Sequence, residues 1–165
     1  CMLLLYLAIL AVVRFSMLIH QEKRKLSDTN AKLLKEEERF RTFFEQSPVG
    51  IVINYGGRIE ANPMYEKIVG RSCEEINAIG WQNFTYPKDL AKEMELHEKF
   101  MAGKIQSFTN NKRYVRPDGE LVWVKVTLAH LSINCEPAES YLCIVEDINE
   151  RIKADKAMRE SERSY

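Results

Sequence analysis

No surplus of charge marks this chain: 24 Lys and Arg balance 24 Asp and Glu, for a formal net charge of zero. Nucleic-acid binders usually show a basic surplus, so nothing here supports that partner. Cysteine is sparse, and Cys1, Cys73, Cys135 and Cys143 show neither CxxC nor Cys/His spacing. They argue against a zinc site or a disulfide framework and read as reduced thiols. His20 and His130 stand alone, without a metal-ligand cluster. There is no Gly-rich phosphate loop; Gly56-Gly57 falls where a hairpin turn is expected. A hydrolytic or transferase centre needs a nucleophile beside a base, or paired carboxylates in a cleft. The carboxylates here sit mostly on charged helical stretches, where solvation is their ordinary role, so no catalytic residue and no metal ligand is assigned.

What is present is enough apolar character, 45% of the residues, for one packed domain with flanking segments. The first segment, "CMLLLYLAILAVVRFSMLIH", is uncharged from Cys1 to Val13 and broken only by Arg14 and Ser16 before Ile19. Its apolar residues lie on every side of a helix, which argues against an interfacial amphipathic helix. Lys23, Arg24 and Lys25 follow the run, whereas a signal peptide carries its basic residues first. Residues 1–20 are therefore expected to be the end of a transmembrane helix with its charged flank in the cytoplasm. Residues 21–41 read as a signalling helix. Ile19, Leu26, Leu33 and Phe40 recur at heptad spacing, but the companion positions are Lys23, Asn30, Glu37 and Phe44, so the coiled-coil seam is thin. Ser47-Pro48 ends that helix.

The remainder alternates short elements. Ile51-Val52-Ile53 is a strand, Tyr55-Gly56-Gly57 a turn, and Arg58-Ile59-Glu60 a returning strand. Asn62 caps a helix that has Pro63 in its first turn and ends at Gly70. A short helix around Cys73 to Ile79 and a longer one from Pro87 to Ala102 follow. Strands over 108–116 and 120–133 are joined by Pro117-Asp118-Gly119, which has the chemistry of a type I turn followed by a left-handed residue. In the second of these, Val122, Val124, Val126 and Leu128 share one face and Trp123, Lys125, Thr127 and Ala129 the other. "SYLCIVEDI" is a final strand, and Asp147 to Glu150 carries a helix-start signature.

Five phrases in this order, "FFEQSPVGIVI", "ANPMYEKIVG", "PKDL", "KRYVRPDGELVWVKV" and "VEDINERIKA", resemble a PAS domain with its PAC portion. The resemblance implies an α+β fold: a five-stranded antiparallel sheet with helices on one face and a small cavity, over residues 42–150. Residues 151–165 are then an exit helix, the start of a linker to a missing downstream domain. "LKEEERFR" before the core and "MRESERSY" after it both read as linkers flanking such a module.

The same resemblance frames the cofactor question. A light-oxygen-voltage flavin sensor needs a cysteine in a GxNCRFLQ-like motif; here "INAIGWQNF" puts Trp81 near that position, and Cys73 lies too early. The ring-holding polar positions of that family fall near Tyr114, Val124 and Val145, two of them aliphatic. His97 is on the helix that holds haem in some members, but Glu95, Glu98 and Lys99 crowd it, and it reads as a surface histidine. Neither flavin nor haem is expected, and the protein should purify colourless. What remains is an apolar pocket with candidate lining residues Tyr65, Ile68, Trp81, Phe84, Phe100, Tyr114, Val124, Val126 and Val145. Most of these read as core; Tyr114 and Trp81 each bring a polar atom that needs a partner.

The phrasing is most similar to PAS modules of diguanylate cyclases, the GGDEF proteins, and next to those of sensor histidine kinases. This implies a regulatory module of a bacterial protein in the inner membrane, with the PAS domain in the cytoplasm and the catalytic output elsewhere. A ligand-free structural dimerisation module is the alternative. The expected partners are a second copy, through the flanking helices and outer sheet face, and an unidentified small molecule. The expected relay residues are Trp123, Asp147 and Asn149, with Phe40 and Phe44 on the entering helix, and Phe43 beside them. Gly119 is expected at positive φ, and Gly119→Val to be among the most damaging surface-turn changes.

Overall fold

The computed structural model describes residues 2–131 and 140–163. The chain divides into two units, 1–43 and 44–165. The first unit is helical throughout its described length, as part of α1, Met2–Glu45. No Pro or Gly interrupts it, and Glu36–Arg39 and Glu37–Arg41 pairs one turn apart support its charged part. Ser47-Pro48 lies just beyond its end, as expected. Among the described residues no helix is long and apolar enough to cross a membrane. The expected end of a span is therefore not supported: Arg14 and Ser16 break the apolar run, and after His20 it gives way to Lys and Glu. The heptad residues Ile19, Leu26, Leu33 and Phe40 are all exposed on this helix.

The second unit is built on five strands: β1 Gly50–Tyr55, β2 Arg58–Ala61, β3 Ser107–Val115, β4 Leu121–His130 and β5 Tyr141–Asp147. All neighbours are antiparallel, in the order β2-β1-β5-β4-β3. The last strand thus lies in the centre, between the first and fourth. Helices α2 Pro63–Val69, α3 Cys73–Ile79 and α4 Pro87–Met101 connect β2 to β3, with a short 3-10 turn at Trp81–Phe84. Helix α5, Asn149–Arg163, leaves from the end of β5. The expected strand over 120–133 ends at His130; its last two positions lie outside the described residues.

Period-two alternation explains the core. Val122, Val124, Val126 and Leu128 of β4 are buried, as are Tyr141, Cys143 and Val145 of β5. They pack with Ile68 and Val69 of α2, Ile76 of α3, Phe84, and Phe100 of α4. Asn62 ties the start of this layer together. Its Oδ1 accepts from Ile51 N–H at 2.8 Å and Tyr65 N–H at 3.0 Å, and its Nδ2 donates to the carbonyls of Phe44 and Val49. It is more than the expected helix cap: one buried amide holds the strand, the helix and the incoming chain.

Candidate ligand cavity and exit-helix junction

A cavity of about 330 Å³ lies between the inner sheet face and the helices. Of the nine sequence candidates, Tyr65, Trp81, Tyr114 and Val126 line it. Ile68, Phe84, Phe100, Val124 and Val145 pack in the core beside it instead. Among the residues on its wall that were not on that list are Glu93, His97 and Lys112.

Glu93 and Lys112 are almost fully buried, at 3% and 2% exposure. Lys112 Nζ donates to Glu93 Oε1 at 2.9 Å, and Asn110 Nδ2 donates to Glu93 Oε2 at 2.7 Å. The ammonium also lies 4.7 Å from the Trp81 ring centre and 5.0 Å from that of Tyr114, a cation–π setting. Burial pulls the Lys112 pKa down, and the Glu93 carboxylate opposes that shift. Such a pair is held together because either charge alone in this setting would be costly.

His97 stands one turn after Glu93 on α4. Its ring is 5.2 Å from Trp81 and 6.1 Å from Tyr141. It is half-buried and faces the cavity, which corrects its reading as a surface histidine; Glu95, Glu98 and Lys99 point elsewhere and are exposed. Burial lowers its pKa, so the imidazole is neutral near pH 7. Its Nε2 has no hydrogen-bond partner among the described residues, nor has Asn110 Oδ1. Tyr65 and Tyr114 meet edge-on at 6.4 Å, and burial pushes both hydroxyls well above their usual range. The Cys143 thiol is likewise pushed up to about 12 by burial. Among the described residues no His, Cys, Asp or Glu cluster could hold a metal.

Two signals in the sequence pointed to the charged pair. Phe108 and Tyr114 face inward on β3, so period two puts Asn110 and Lys112 on the same face. On α4, Glu93, His97 and Phe100 fall at i, i+4 and i+7, one stripe of a helix.

A second constellation lies at the end of the β4–β5 ladder, where β4 meets α5. Trp123 N–H donates to Asn149 Oδ1 at 3.1 Å, and Trp123 C=O accepts from Ile148 N–H at 3.0 Å. Asp147 Oδ1 accepts the Asn149 N–H at 2.9 Å. Both side chains have the chemistry of a helix cap. In the fold Asp147 takes that role and Asn149 pins the helix start to β4. Trp123 is half-buried, with the Arg113 guanidinium 4.7 Å from its ring centre. Arg113 itself is held by Asp89 through two side-chain contacts at 2.8 and 2.7 Å. Arg113 holds the Asp89 carboxyl below the usual carboxylate range. Phe44 is half-buried in this unit, and Phe40 is exposed in the first.

The sheet order, with the final strand inserted beside the first and helices over one face, is that of a known fold. Residues 58–132 fit the family model described as PAS fold. The folded unit has the PAS fold. The PAS domain of an HTR-like protein from Haloarcula marismortui is similar in structure: TM-score 0.60, 22% identity, 74% of this chain and 99% of that one. Among curated proteins, the probable diguanylate cyclase DgcE of Escherichia coli is 28% identical over 118 residues, 70% of this chain and 11% of that protein. The sensor histidine kinase TmoS of Ectopseudomonas mendocina is 20% identical over 142 residues, 85% of this chain and 15% of that protein. The chain therefore spans only a small part of each of these relatives.

Proposed function

We propose that this chain is the sensory and relay module of a dimeric bacterial signalling protein whose output is diguanylate cyclase activity. One observation carries this reading. The strands that wall the cavity through Val126, Leu128 and Cys143 are the strands whose far parts hold the exit helix through Trp123 and Asp147. A molecule in the cavity therefore presses on the elements that position α5. The similarity to a diguanylate cyclase supports cyclic-dinucleotide output. The similarity to a sensor histidine kinase supports phosphotransfer as the second reading. The exposed heptad residues of α1 support pairing of two copies along that helix. Exposed Leu3, Ile9, Val12, Phe15 and Leu18 support attachment of the start of α1 to the inner membrane, with the PAS domain on the cytoplasmic side.

The test is Cys143→Leu in the full-length protein, which fills part of the cavity from β5. Output locked at one level, indifferent to stimulus and with the fold retained by circular dichroism, is the expected result. Normal stimulus response in that variant would refute the sensory reading and favour a ligand-free relay module.

A further inference from the structure

We propose that the cavity takes a small, electrically neutral, one-ring molecule whose hydrogen-bond acceptor faces Lys112 Nζ. The inference rests on the cavity being the sensory site, and it deepens that reading by naming the ligand class.

Charge comes first. Glu93 and Lys112 are the only Asp, Glu, Lys or Arg side chains on the cavity wall among the described residues. Whichever atom of the pair holds the shared proton, the two together sum to zero. His97 is neutral near pH 7, and burial keeps Tyr65, Tyr114 and Cys143 protonated. The wall as a whole is therefore neutral. A carboxylate or ammonium ligand would enter as a third, uncompensated charge in a desolvated site.

Hydrogen-bonding capacity comes second. Each Glu93 oxygen already accepts one hydrogen bond, from Lys112 and from Asn110. An ammonium has three donors, and Glu93 takes one of them. The ammonium lies on the cavity wall beside the Trp81 and Tyr114 rings, so its remaining donors are available to a guest there. His97 Nε2 is buried and unpartnered on the neighbouring wall. A carbonyl oxygen at Lys112 with an N–H or O–H toward His97 satisfies both. Shape comes third. Trp81, His97, Tyr65, Tyr114 and Tyr141 present rings around the space, and aromatic faces and edges favour a flat guest. At about 330 Å³ the cavity is at the small end of the range for small-molecule sites.

The experiment measures Kd by calorimetry at pH 7.5, on the full 165-residue chain, for four one-ring probes: benzamide, benzoate, benzylammonium and toluene. Benzamide is expected to bind at least about ten-fold tighter than each of the others, the effect of one hydrogen bond to a charged donor. The double variant Glu93→Leu/Lys112→Met should lose the preference for benzamide over toluene. His97→Phe, which keeps the buried pair, should weaken benzamide and leave toluene unchanged; it serves if the double variant does not fold. Tightest binding by benzoate or benzylammonium overturns the neutral class while leaving small-molecule sensing intact. Binding of none of the four overturns the one-ring class, and the Cys143→Leu output test then judges the sensory reading separately. Unaltered benzamide preference in both variants overturns the role of this wall.

Discussion

At the residue scale, the decisive feature is a buried ion pair set among aliphatic and aromatic side chains. Lys112 occupies an inward position of β3 beneath Trp81 and Tyr114, and its one carboxylate partner comes from α4. Removing one partner leaves the other charged and dry. Lys112→Met and Glu93→Leu should each cost about 3–5 kcal/mol of stability. The pair replaced together should cost clearly less than the sum, because no orphan charge remains. Urea unfolding of the two single variants and the double variant reads this directly; additive losses would show that the two side chains do not act as a pair. This feature was only half legible in the sequence. A carboxylate on a Lys/Glu-rich helix reads as solvated, and only the joint phase of Phe100 on α4 and Phe108 on β3 places Glu93 and Lys112 inside. His97 was misread for the same reason: its neighbours in sequence are charged, but its neighbours one turn away on the helix are buried.

At the scale of elements, local chemistry was far more readable. Asn62-Pro63, Ser47-Pro48, Gly70 and the Pro117-Asp118-Gly119 turn act through backbone preferences that need no tertiary context, and the helices and strands begin and end where those residues put them. The 3-10 turn at Trp81–Phe84 was not legible, since nothing in "WQNF" prescribes it; it forms where Thr85 N–H and Oγ1 both bond the Trp81 carbonyl. The hairpin between β3 and β4 offers the cleanest test. Gly119 has φ +85 and no atom within 4 Å of where a Cβ would stand. Substitution there meets conformational strain alone, without a clash. Gly119→Val should lower stability by about 1–3 kcal/mol, and Gly119→Asn by much less, since asparagine tolerates the left-handed region. Gly70, at φ +73, differs: a Cβ there would meet Pro117 Cδ at 3.3 Å. Equal melting temperatures for wild type and Gly119→Val would refute the turn geometry.

At the scale of the whole molecule, the question is how an event in the cavity reaches the exit helix. The inner and outer faces of β4 are the same backbone seen from two sides. Val126 and Leu128 touch the cavity, while Trp123 grips α5 through Asn149 and Ile148. The large outward tryptophan calls for a cover. Within this unit Arg113 does part of that work, clamped in place by Asp89 and lying over both Trp123 and Tyr86. The grip on α5 consists of few contacts: the Asp147 bond to the first helical N–H, the Asn149 bond to Trp123, and the Ile148 bond to the Trp123 carbonyl. A helix cap is worth about 0.5–2 kcal/mol, and allosteric couplings typically amount to about 1–3 kcal/mol. The grip is therefore of the right size to be biased by a ligand without unfolding the domain. Asp147→Ala removes the cap and leaves the sheet register untouched; Trp123→Ala removes the platform under Arg113. Both variants should keep the fold, change the ratio of stimulated to unstimulated output in the full-length protein, and shift the dimer dissociation constant. Asn149→Ala should resemble Asp147→Ala in output, because it releases the same helix start from the β4 side. Should both Trp123→Ala and Asp147→Ala retain wild-type coupling and dimer affinity, the signal does not leave through this junction, and the path must run along α1 instead.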